Sequence, residues 1–444
     1  MVAAAAAALA APPCPVGTPP KRSPCNGAAQ PAGLRAMELL LLLGALCSRA
    51  ASGTAPPACS GNGQRLSDGA GLSCSCRKPW TGPDCAVLGL APARVRNGFG
   101  QDDHSSVSWG AGVVFHPEDS LYHMYVLEVL HNCPLCTFGS NSQLVHATAK
   151  QASGPFTRQG VVLPAFTGNP QPVLASDNKT IALFHTGGGT SSSHPRSLCN
   201  CSSSGPTKKP DCNQCHISPD VAGYPLPLTA ATAAHTLHVA TSPWGPWHPV
   251  NPAPPRCNNP APIQHPNGTW LLLCNNVGGA FGLQGQYPLY SAPELEGPWT
   301  LRTRLPILYN ISRQESPRVF EDPFMYIDQA GVWHVLWHVF NRTFPCGACM
   351  DNTVSGHHYS NDGLTWHESS PQPFGNTVQF QGGHGEATFS TRERPFLIRG
   401  PGGRPTHLVS AVCTAVSCAP MRRSECKSIN HDYTLVQPLQ LDSI

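Results

Sequence analysis

Two acidic residues, Glu321 and Asp322, stand side by side ahead of Pro323, and farther along His384 is followed two residues later by Glu386. Carboxylates and imidazoles of this kind can give and take protons, and the same atoms can ligate a cation. On an extended strand a residue two positions along returns to the same face, so Glu386 is expected to share a face with His384. Two amides open similar turns, at Asn169-Pro170 and Asn259-Pro260. Asp-Pro and Asn-Pro pairs begin turns in proteins of any function, but a turn has no need of the extra charge that Glu321 brings. His334 and His338 have the spacing of a helical zinc pair, yet they lie in an alternating run, VWHVLWHVF. On a strand rising about 3.3 Å per residue they are about 13 Å apart, too far to share one ion.

The elements that must position these residues are legible as a repeat. A turn with Pro or Gly, an apolar strand, a Gly-containing turn, an aromatic-rich strand and a closing Gly-Pro-aromatic recur about five times. The closing phrase is clearest at Gly154-Pro155-Phe156, Gly245-Pro246-Trp247 and Gly297-Pro298-Trp299. One such unit cannot bury its own apolar face, whereas several stacked radially can. The expected fold class is all-β, a five-bladed β-propeller, with blades beginning near Trp109, Asn169, Asn259, Glu321 and the His384-Gly385-Glu386 group. Residues at one repeat position then form a ring at the axis, and a polar group at each blade suits a ligand dense in hydroxyls. Trp109, near the first inner strand, offers an aromatic face for a sugar ring, and Trp247, Trp299 and Trp366 are expected to fill gaps between blades.

Composition narrows the surroundings. The 444 residues include 47 Pro and 42 Gly, which suits many short strands, and the net charge of +3 comes without a basic run. Nucleic acid therefore has no electrostatic claim. Twenty cysteines and five Asn-x-Ser/Thr sequons, at Asn178, Asn200, Asn267, Asn310 and Asn341, point to an oxidising compartment. Residues 1–52 are of low complexity and contain the apolar run Leu39 to Leu46, which reads as a signal or leader region too short to span a bilayer. The expected location is secreted or at the cell surface, with no membrane span in the mature chain. The CxxC pairs Cys133/Cys136, Cys212/Cys215 and Cys346/Cys349 read as disulfide cysteines. Residues 187–232 form a Cys-rich insert in blade two, whose Cys199, Cys201, Cys212 and Cys215 suit two bridges or one zinc ion. Cys257 and Cys274 flank one hairpin and could pair.

Two resemblances follow from particular motifs. Residues 53–88 contain CSGNGQRLSDGAGLSCSCRKPWTGPDC, which resembles an EGF-like module of the tenascin type, lacking one cysteine pair. That resemblance implies the bridges Cys59-Cys74 and Cys76-Cys85. Over residues 100–441, EDPFMYIDQAGVWHVLWHVF and GGHGEATF resemble the fourth- and fifth-blade motifs of the family 43-like five-bladed glycoside hydrolases, the arabinanase, β-xylosidase, invertase and levansucrase group. The resemblance implies a carbohydrate substrate, polysaccharide or oligosaccharide, hydrolysed by paired carboxylates with Glu321 as general acid. It also implies His384 on the axis beside a calcium or other cation, with no cofactor required. The family's first-blade Asp has no counterpart at Ser108-Trp109-Gly110, and its third-blade Asp is Asn259 here. Candidates for the missing partner are Asp102 or Asp103, Glu128, and Glu386; Asp322 joins Glu321 and Glu386 as an expected catalytic residue, and Trp109, Asn169, Asn259 and Glu128 are the expected substrate-binding ones. The same departures suit an alternative, a carbohydrate-binding or adhesive propeller without catalysis.

Overall fold

A computed structural model of the chain describes residues 58–67, 72–101, 107–129, 135, 142–164, 167–187, 236–255, 257–276, 286–306, 318–341, 354–400, 403–413 and 432–441. The leader, Asp102 and Asp103, residues 188–232 of the insert, and the CxxC cysteines of the propeller region lie outside the described residues.

Blade one consists of Val107–His116, Leu121–Val129, Ser142–Ala149 and Thr157–Leu163, hydrogen-bonded in that order. Blade two is Thr167–Leu174, Ile181–Gly187, Leu237–Ala240 and His248–Pro249; blade three is Asn258–Gln264, Trp270–Asn276, Gln286–Ala292 and Thr300–Pro306. Blade four is Arg318–Ile327, Trp333–Asn341, Val354–Ser360 and His367–Glu368. Blade five has the three strands Thr391–Arg399, Pro405–Cys413 and Asp432–Pro438. Every pairing within a blade is antiparallel, as consecutive strands joined by turns require. The first strand of each blade packs beside the first strand of the next, and Thr391–Arg399 packs beside Val107–His116, which closes the circle. The architecture is a five-bladed β-propeller.

The alternation in Trp333–Asn341 is preserved, but both of its faces are covered. Val335, Trp337 and Val339 on one side and His334, Leu336 and His338 on the other are all buried. Such a strand sits between neighbouring blades, so neither face meets water. Apolar residues of blades three and four, including Leu271, Leu289, Val335, Trp337 and Trp366, merge into one cluster. Trp247 and Trp299 are partly buried against the adjoining clusters.

Closure also uses residues that precede the repeat. Phe99 and Thr434 exchange backbone hydrogen bonds of 2.9 and 3.1 Å, and Ala91 N–H donates to Pro438 O at 2.9 Å. Residues 89–99 thus run antiparallel along the outer edge of blade five and occupy the place of a fourth strand. An outer edge that would otherwise expose unpaired backbone groups is thereby covered.

The N-terminal module holds both implied bridges, Cys59-Cys74 and Cys76-Cys85, and a third disulfide links Cys257 to Cys274 across the blade-three hairpin. The module is docked on blade four. Trp80 packs on His357 with ring centroids 4.5 Å apart, and Arg77 pairs with Asp328 at 2.9 Å. No helix among the described residues is long and apolar enough to cross a membrane.

Candidate functional site at the propeller axis

Each inner strand is interrupted near its start. The register slips between Ser108 and Ala111, opposite Phe184 to Thr186, between Glu321 and Phe324, and between Glu393 and Phe396; in blade three Asn259 falls between the paired Asn258 and Pro260. At each interruption one residue adopts a left-handed backbone: Gly110 (φ 76°), Asn169 (53°), Asn259 (50°), Asp322 (49°) and Arg394 (53°). This conformation is uncommon outside glycine, though Asn and Asp tolerate it best. Arg394 has no such excuse. Strained residues costing about 1–3 kcal/mol each persist where a site over-determines them, and here four non-glycine residues share one ring. Bulges of this kind re-aim side chains, and these five residues line a single pocket together with Ala111, Gln171 and three prolines.

Three of the ring residues match the expectation, Asn169, Asn259 and Asp322. Asn169 Nδ2 donates to Asn259 Oδ1, so two amides from neighbouring blades are tied together. Blade five departs from the expectation, because its ring residue is Arg394 rather than a member of the His384-Gly385-Glu386 group. His384 and Glu386 belong to an exposed hairpin, Thr377–Gln379 with Glu386–Thr388, in which Gln379 donates to Glu386. That hairpin pairs with the outer N-terminal segment through Ala93, whose N–H reaches Gln379 O at 2.8 Å. Its turn therefore spends its backbone on the outer side of blade five, and neither His384 nor Glu386 lines the axial pocket.

Trp109 and Glu128 are also placed away from the ring. Trp109 is buried in the blade-one core, so no face is open for stacking. Glu128 accepts from Gln143 at 2.7 Å and pairs with Arg158 at 3.0 Å, an ion pair between the blade's second strand and its outermost one.

The chemistry gathers on the blade-four side of the axis. His338, fully buried, lies 2.9 Å from Asp322 through Nδ1 and 3.7 Å from Glu321 through Nε2. Arg394 Nε is 3.6 Å from Asp322, and Asn275 Nδ2 donates to Glu321 Oε1 at 3.4 Å. Glu393, at 4% exposure, immediately precedes Arg394 as Glu321 precedes Asp322. A Cβ on Gly110 would stand 2.5 Å from Arg394 Cδ, so the guanidinium stem fills the space that a first-blade side chain would use. Glu321 is the most accessible of the three acids, being only half-buried.

Electrostatics separate these groups. Burial works against charge on Asp322, but Arg394 and His338 outweigh it and hold this carboxyl below its ordinary range. Burial likewise opposes charge on His338, yet Glu393, Asp322 and Glu321 together raise it to about 9. Burial pushes Glu393 up to about 7, with His338 pulling the other way and Asp322 adding to the rise. Near neutral pH the cluster thus holds an ionised Asp322, an imidazolium and a Glu393 carboxyl close to its midpoint.

This ordering fixes a pH dependence of stability. Glu393 has a folded value above its unfolded one, so stability is full below about pH 4.5 and falls as pH rises to about 7, by about 3 kcal/mol. His338 adds a second loss as pH climbs from about 6.5 through 9, and Asp322 a loss when pH falls below about 4. The chain is expected to be most resistant to urea on the acidic side of neutrality. Replacing Glu393 by Gln should flatten the decline between about pH 5 and pH 7, read from urea midpoints; an unchanged profile would locate the titration elsewhere.

Glu321, Asp322 and His338 have ligand atoms within 4.8 Å of one another, the spacing of a cation site. The donor set fits a resident cation poorly. The Arg394 guanidinium, 3.6 Å from Asp322, already places one fixed positive charge beside these carboxylates.

No protein-family model and no curated protein matches the chain. Solved structures show distant likeness. A thermostable family-43 glycoside hydrolase is 10% identical with a TM-score of 0.43, covering 80% of this chain and 94% of that one. An endo-arabinase from Bacteroides thetaiotaomicron is 13% identical with a TM-score of 0.42, covering 80% and 98%. A fructofuranosidase from Schwanniomyces occidentalis in complex with fructose is 9% identical with a TM-score of 0.44, covering 80% and 64%.

Glu393, Arg394 and the axial role of His338 are absent from the sequence reading. The signal was present. Glu321-Asp322-Pro323-Phe324 and Glu393-Arg394-Pro395-Phe396 share the same Glu-x-Pro-Phe frame. The more conspicuous Gly-His-Gly-Glu ends at Glu386, seven residues before Glu393.

Proposed function

We propose that this protein binds a polysaccharide or oligosaccharide over the mouth of the propeller axis and hydrolyses a glycosidic bond, with Glu321 as proton donor. The observation that carries this reading is the convergence on one axis of three acids in unlike environments. Glu321 is partly open, Asp322 is held ionised, and Glu393 is pushed up. Acid–base catalysis on one substrate needs carboxyls in unlike environments, one open to the substrate and another held ionised. The two ring amides and Arg394 add donors suited to sugar hydroxyls. Asp322 is the carboxylate best placed to face the charge that develops on the sugar.

Replacing Glu321 by Gln should lower hydrolysis of the responsive glycan by about 10²–10⁴-fold while leaving its binding within a few-fold, because the amide keeps shape but has no proton to give. A screen of glycan hydrolysis run beside a binding array with the same two proteins reads both. Undiminished hydrolysis by the Gln variant would remove Glu321 as the acid.

One observation favours a second reading, carbohydrate binding without hydrolysis. Arg394 lies over Gly110, where a first-blade carboxylate would otherwise approach the bond. Glycan binding by the unmodified protein with no hydrolysis across the screen would select it. An extracellular location is part of both proposals. It is supported by the three disulfides among the described residues and by Asn178 and Asn267, two sequon residues on exposed turns. The EGF-like reading of residues 53–88 has the support of its two bridges.

A further inference from the structure

The first hairpin of blade one brings together a second set of ligating groups, remote in sequence from the axial acids. His116 ends the inner strand, Asp119 lies in the turn, and His123 is on the second strand. Asp119 Oδ1 is 3.3 Å from His116 Nδ1, and Asp119 Oδ2 is 3.0 Å from His123 Nε2. All three ligating atoms lie within 4.8 Å of one another. Four ligands around zinc at bond lengths of about 2.1 Å stand about 3.4 Å apart, so these separations need little change to take an ion.

The surroundings are those of a supported site. His123 is fully buried and its other nitrogen, Nδ1, is 2.9 Å from His146 Nε2, which aims Nε2 at Asp119. A hydrogen bond to the far nitrogen is how proteins orient a ligating imidazole. His116 is 5% exposed, whereas the Asp119 side chain is 29% exposed and gives the way in. Trp244 of the blade-two segment stands edge-on to His123 and His146, at 5.5 and 4.8 Å between centroids, with Nε1 3.4 Å from Asp119 Oδ2.

Blade four supplies an internal comparison. His334 and His357 hold the same diagonal register as His123 and His146, and their nitrogens are 3.0 Å apart. There Asp328 lies 3.5 Å from His334 and 2.9 Å from the Arg77 guanidinium, so a cation from the N-terminal module completes the cluster. In blade one a further imidazole, His116, approaches the carboxylate instead.

We propose that His116, Asp119 and His123 bind a divalent transition-metal ion, zinc or copper, in a two-histidine, one-carboxylate site with an open position toward solvent. Two imidazoles and one carboxylate select such ions over calcium and magnesium, which prefer all-oxygen shells. The site is independent of the glycan reading.

The test is zinc binding to the full-length protein by calorimetry after chelator treatment, with copper as a second probe. His116→Gln and Asp119→Asn are the variants, chosen because neither removes the fully buried His123. The unmodified protein should bind zinc and gain thermal stability from it. Each variant should lose affinity by roughly 100-fold or more, since even second-shell partners are worth about 10–100-fold. Thermal midpoints of the metal-free proteins show that the variants are folded. Equal zinc binding by the variants, which would place the ion elsewhere, overturns the proposal, as does absence of zinc and copper binding by the unmodified protein.

Discussion

Replacing Asp322 by Asn should destabilise the protein by about 3–5 kcal/mol at neutral pH, the usual cost of removing one partner from a buried ion pair. The substitution isolates charge. Asn already occupies the left-handed position in blades two and three, so the backbone at φ 49° is not asked for anything new. What changes is that His338, 2.9 Å away, and Arg394, 3.6 Å away, lose the carboxylate between them. His338 should then titrate well below its present value of about 9, because Asp322 is among the groups that hold it there. Urea denaturation over a pH series reads both effects: the loss should be large at pH 7, still large near pH 4, and should shrink only as pH falls further below the ordinary carboxylate range, where the folded Asp322 takes up its proton. A loss under about 1 kcal/mol would mean that the axial cluster is compensated by some other group and that Asp322 is not its centre.

Trp80→Ala is expected to cost about 3–5 kcal/mol in the stability of the module on blade four. Trp80 is 4% exposed and belongs to the same apolar cluster as Leu88, Phe324, Tyr326 and Phe374. Its ring also covers His357 and His334, with centroids 4.5 and 6.1 Å away. Truncation leaves a cavity against two buried imidazoles, which no neighbouring side chain on a disulfide-bridged loop can readily fill. Limited proteolysis should cut first between the module and the first blade, at protease concentrations that leave the unmodified chain intact. Coincident loss of module and propeller would show that blade four itself depends on Trp80. An unaltered cleavage pattern would show that Arg77 and the backbone contacts dock the module unaided.

The sequence by itself determined the repeat and much of the ring. Asn169-Pro170, Asn259-Pro260 and Asp322-Pro323 announce strand-start kinks through residue types that tolerate a left-handed backbone, and alternation marks the strands between them. Local propensity reaches that far because each of these signals acts within a few residues. Which glutamate and which cation share the axis was decided by closure. Arg394 violates the preference that made the other ring positions readable, and its place is set by Gly110, whose missing Cβ leaves room for the guanidinium stem from a strand nearly 300 residues away. His384 and Glu386 carry the more conspicuous motif, but their hairpin finds its backbone partner at Ala93, on a segment outside the repeat. Trp109, which by type suits a sugar face, is drawn into the blade-one core because burial of so large an apolar surface stabilises more than exposure at the rim. Long-range hydrogen bonding and packing, set only when the fifth blade meets the first, assign the final members of the site.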